Sequence, residues 1–98
     1  MTAQTTPPRI IIQHLHALKV ALELAGYDAR VRRPLNAPPY LEAFHPKRRM
    51  SESVRCAENP DDEGQMWFFY LFGDPVCRVT EQGKAVASIV NIIAGDAP

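Results

Sequence analysis

The run "MWFFYLFGDP", Met66 to Pro75, sets the tightest limit on the fold. Five of the chain's eight aromatic side chains stand in it, at Trp67, Phe68, Phe69, Tyr70 and Phe72. Read as a strand, it points Met66, Phe68, Tyr70 and Phe72 to one face and Trp67, Phe69 and Leu71 to the other. Neither set is polar. A strand apolar on both sides is either covered on both or carries an interaction face. Gly73-Asp74-Pro75 is expected to end it, because proline cannot donate to a ladder.

Two amphipathic segments flank the strand region. "TTPPRIIIQHLHALKVALELAG" places Ile11, Leu15, Leu18, Leu22 and Ala25 on one helical stripe. Thr6 is the expected N-cap and Gly26 the stop. A second helix is expected from near Thr80, with Glu81 in its first turn and Gly95 at its end. Its inner stripe is Val86, Ile89, Val90 and Ile93, with Ala85 and Ile92 widening the apolar surface.

Between the helices, short alternating segments read as strands. "DARVRR" opposes Ala29 and Val31 to Arg30 and Arg32; "YLEAFH" opposes Leu41 and Ala43 to Tyr40, Glu42 and Phe44; "ESVRCA" opposes Val54 and Cys56 to Arg55. "VCRV" is a further extended piece, and "ENPDDEGQ" is an acidic turn. The expected fold is a single α+β domain over residues 8–95, in the order α-β-β-β(-β)-α, with both helices on one face of an antiparallel sheet. Residues 1–7 and 96–98 are expected to be tails.

Two layers leave one sheet face open, and the aromatic strand is apolar there too. A second copy, another protein, or the N-terminal and proline-rich segments folded back could cover it. The expected anchors are Trp67, Phe69 and Leu71, with Tyr40 and Phe44 from a neighbouring strand. Arg30, Arg32, Arg55, Lys47, Arg48 and Arg49 are expected as a polar rim or an anion-contacting set.

Net charge is zero but unevenly spread. Residues 30–55 hold seven basic side chains against two acidic ones, and residues 56–98 hold the reverse. The basic stretch raises nucleic-acid binding as an alternative, and the helix–strands–helix order resembles that of the double-stranded RNA-binding domain. The lysine-rich start of that family's last helix is missing, where Lys84 stands alone, and a pI near 6.8 is not that of a dedicated nucleic-acid binder.

Catalytic and metal chemistry find little support. His14 and His16, two apart on a helix, point about 200° from each other and cannot share a metal. Cys56 with His45 as base lacks any orienting third group. Asp61, Asp62 and Glu63 suit a solvated turn better than a cation site, and Thr80 to Lys84 offers no more than any helix start. No cofactor or metal is expected, and a disulfide between Cys56 and Cys77 would require neighbouring strands. "MTAQTTPP" lacks the basic and apolar regions of a signal peptide, so the default location is the cytoplasm. No apolar run approaches the roughly 18 residues of a membrane span.

"MSESVRC" at residues 50–56 and the aromatic strand closing on Gly73-Asp74-Pro75 resemble segments of small uncharacterised actinobacterial α+β proteins. An amphipathic helix leading to Gly26-Tyr27 and a strand fits the same group. Phe69, Tyr70 and Leu71 replace a more tryptophan-rich strand, and the Pro46 to Met50 turn is more basic. The resemblance implies a bacterial cytoplasmic origin and no particular activity. The expected function is therefore a non-enzymatic interaction or accessory module, self-associating through its aromatic sheet face. The alternatives are a small-ligand-binding protein, with the ligand between sheet and helices, and a nucleic-acid-binding module.

Overall fold

A computed structural model describes residues 6–95. The expected tails lie mostly outside them, at residues 1–5 and 96–98. Helix α1 (Pro8–Leu24) opens the chain, followed by strands β1 (Asp28–Arg32), β2 (Tyr40–Phe44), β3 (Ser51–Asn59), β4 (Gln65–Tyr70) and β5 (Pro75–Arg78), and by helix α2 (Gln82–Ile93). The strands form one antiparallel meander in chain order. The α+β architecture is as expected, with five strands rather than three or four.

Both helices pack on one face. The stripe Ile11, Leu15, Leu18 and Leu22 of α1 and Ala85, Ile89 and Ile93 of α2 are buried against Ala29, Leu41, Ala43, Val54, Cys56, Phe68, Tyr70 and Cys77. Val86 and Val90 lie at the margin of this core, and Ala85 is fully buried in it. Ala25 is exposed, since α1 stops one residue earlier.

Thr6 does not cap α1. The N-cap is Pro7, whose carbonyl accepts from Ile10 and Ile11. The Thr6 hydroxyl instead donates to Glu58 at 2.7 Å on the helix side of the sheet. With proline in the first turn, fewer N–H groups need a cap.

The aromatic strand ends at Tyr70, two residues sooner than the apolar run suggests. The Tyr70 N–H bonds the Asp74 carbonyl and the Gly73 N–H bonds the Tyr70 carbonyl, so Leu71 to Asp74 are spent in the turn. Gly73 sits at φ 109°, a region that favours glycine. Pro75 does not close β4 but opens β5, a permitted strand position for proline. A bulge follows, because Phe68 pairs with Cys77 while Phe69 pairs with Pro75, leaving Val76 as the extra residue.

Candidate functional site: the open sheet face

The strand alternation sends a second set of side chains away from both helices. One row crosses the whole sheet in register: Arg32, Tyr40, Arg55, Phe69 and Pro75. Beside it lie Arg30, Glu42 and Ser53 on one side and Ala57, Trp67 and Arg78 on the other, with Phe44 beyond Glu42. Tyr40, Phe44, Trp67 and Phe69 are half-buried, and among the described residues no other layer lies over them. Four of the five expected anchors therefore share one face. Leu71 stands apart in the β4–β5 turn, about half exposed.

The arginines of this face are engaged within it. Arg55 lies over the Phe69 ring at 5.0 Å and Arg30 over the Phe44 ring at 5.9 Å. Arg32 pairs with Glu42 at 3.0 Å. Arg78 holds both oxygens of Asp62, at 2.6 and 2.8 Å, and the Trp67 indole donates to the same carboxylate at 2.7 Å. Hydrogen bonds from Arg78 and Trp67 hold the Asp62 carboxyl below the usual aspartate range and raise Arg78. Asp62 is thus a clasp for the aromatic strand. The short 3-10 turn Pro60–Asp62, with Asn59 accepting from the Asp61 N–H, delivers it there.

The remaining basic residues lie elsewhere. Lys47, Arg48 and Arg49 occupy the exposed β2–β3 turn, beyond the end of the sheet. His45 organises that turn, its Nδ1 accepting from the Lys47 and Arg48 N–H groups at 3.0 Å. Arg48 donates to the Ala94 carbonyl at 2.8 Å, satisfying a C-terminal carbonyl of α2.

Cys56 and Cys77 are free, buried and separated by β4, with Phe68 between them in register. A disulfide is excluded by that spacing, about two strand separations of roughly 4.8 Å each. Burial pushes the Cys56 thiol up to about 12 and raises Cys77 as well, so neither is a nucleophile near neutral pH. Among the described residues, no cluster of histidine, cysteine and carboxylates is arranged to hold a metal. No described helix is long and apolar enough to cross a membrane.

Comparison of the chain with known protein families, curated proteins and solved structures finds no match. Strand alternation alone places Tyr40, Phe44, Trp67 and Phe69 on one face. It does not place the Asp62 clasp, because the clasp joins a turn to two strands that the local pattern treats separately.

Proposed function

We propose that this protein is a non-enzymatic interaction module that pairs with a second copy of itself through the open sheet face. The observation that carries the reading is the half-buried set Tyr40, Phe44, Trp67 and Phe69, on the side of the sheet facing away from both helices. Aromatic side chains with arginines between them have the composition of interface hot spots. The face carries Arg30, Arg32, Arg55 and Arg78 against Asp28, Glu42 and Asp62. A surface so nearly neutral does not repel its own copy, and two rigid aromatic faces can meet about a two-fold axis.

The nucleic-acid alternative fits this arrangement less well. Two of the four arginines are neutralised by carboxylates, and the other two lie over rings that bases would need for stacking. Lys47 and Arg49 lie in a separate turn. The small-ligand alternative would need room between sheet and helices. Phe68, Leu15, Leu18, Leu22, Leu41, Ile89 and Ile93 fill that layer and are fully buried.

The bacterial cytoplasmic origin belongs to the same proposal. It rests on the resemblance of MSESVRC and of the aromatic strand to segments of small actinobacterial proteins. Light scattering across a tenfold dilution tests the pairing. An assembly that survives dilution in the wild type and loses half its mass or more in Trp67→Ala with Phe69→Ala supports it. An unaltered assembly in a folded double variant refutes it.

A further inference from the structure

The outer edge of β1 is open. Among the described residues, no backbone hydrogen bond from Asp28–Arg32 reaches anything but β2. An unpaired edge is a template for another strand. A hollow of about 540 Å³ lies against it, lined by Glu23, Asp28, Ala29, Arg30, Arg32 and Phe44. The opposite edge differs, since β5 is short and begins at Pro75, which has no N–H to donate.

Charges on an edge strand oppose pairing when they share a sign. Here they do not. Asp28 and Arg30 are neighbours on the same face of β1 and carry opposite charges. Among the described residues neither has an ion-pair partner, and Arg30 rests only over Phe44. In an antiparallel pairing about a two-fold axis at Ala29, each Asp28 falls opposite Arg30 of the other copy. Ala29 then meets Ala29 on the core side, and Val31 falls opposite Tyr27. Moving the axis to Arg30 would set two guanidinium groups against each other and would draw on Arg32, already paired with Glu42, as the partner of Asp28. The register centred on Ala29 is therefore the one that joins the two β1 charges without an ion-pair partner among the described residues.

We infer that β1 is a second contact between copies of this chain, an antiparallel edge pairing centred on Ala29 and closed by two reciprocal Asp28–Arg30 ion pairs. It joins two five-stranded sheets into one of ten strands. The contact goes beyond the aromatic face, of which Asp28 and Arg30 form the margin. The two together give a four-chain assembly, closed where their two-fold axes cross at right angles.

The test is the solution mass of the full chain and its variants by light scattering, with circular dichroism to establish folding. The wild type is expected at four chains. Arg30→Asp, which sets Asp opposite Asp28, is expected to halve the mass. Adding Asp28→Arg to it exchanges the two charges and is expected to restore the mass. Trp67→Ala with Phe69→Ala should also halve it, and combining those changes with Arg30→Asp should leave single chains. A mass indifferent to Arg30→Asp, or one that the exchanged pair fails to restore, overturns the edge contact. The aromatic-face reading survives that result if the face variant still dissociates. Two chains separated by Arg30→Asp, restored by the exchange and indifferent to the face variant, keep the edge contact and overturn the face. Single chains at every concentration overturn both. Should Arg30→Asp fail to fold, amide exchange of Asp28–Arg32 in the wild type decides. Protection that falls on dilution supports the edge contact, and exchange unchanged by dilution overturns it.

Discussion

The indole N–H of Trp67 donates to Asp62 at 2.7 Å, and Arg78, directly opposite Trp67 on the next strand, grips the same carboxylate at 2.6 and 2.8 Å. A charged turn residue thus holds one of the rings that make the open face. The carboxyl is held below its ordinary range by these two donors, so its contribution is fully present above the ordinary aspartate value. It is lost as pH falls through the lowered value. Asp62→Asn should therefore flatten the acid limb of a Tm against pH curve as pH falls below the ordinary aspartate value. Trp67 is the only tryptophan, so its emission should follow the same transition in the wild type and not in the variant.

Neighbouring rings should respond in opposite ways to truncation. Phe68 is fully buried between sheet and helices, so Phe68→Ala is expected to cost the monomer about 3–5 kcal/mol. Phe69 faces away from the helices, under Arg55, and Phe69→Ala should cost the monomer only about 1 kcal/mol. Urea unfolding at concentrations below the association range separates the two.

Association should show the reverse order. Trp67→Ala and Phe69→Ala are each expected to weaken pairing by about 2 kcal/mol, roughly thirtyfold in Kd. Sedimentation of the folded variants across a dilution series measures this.

Tyr70 is buried and its hydroxyl shares a hydrogen bond with Ser88 of α2. Ser88→Ala leaves the phenol without that partner and should destabilise by about 1–3 kcal/mol. Tyr70→Phe in the Ser88→Ala background should recover most of the loss, since both polar groups are then gone. A denaturation double-mutant cycle gives the answer.

The thiols should be silent in the folded protein. Cys56 is raised to about 12 by burial, and Cys77 is also buried. A thiol reagent near pH 8 should label neither quickly under native conditions and both in denaturant. Fast native labelling of Cys56 would contradict its placement beneath α1 and α2.

Much of this was legible in the chain itself because it depends on periodicity. The stripe from Ile11 to Leu22, the pair Leu41 and Ala43, and the pair Val54 and Cys56 lie inward as their spacing requires. Segment ends were less legible. Nothing local shows that Leu71 and Phe72 belong to a turn, because that follows from the bonds Tyr70 makes to Gly73 and Asp74.

Local sequence determined that β4 has two apolar faces; only the tertiary structure decided which one the helices take. Phe68 and Tyr70 went inward because Val54, Cys56 and Cys77 stand beside them in register and complete a surface that α1 and α2 can cover. Trp67 and Phe69 were left with Arg55, Arg78 and Asp62 for neighbours. A period of two separates the faces of a strand without ranking them, and the ranking comes from what lies across the ladder.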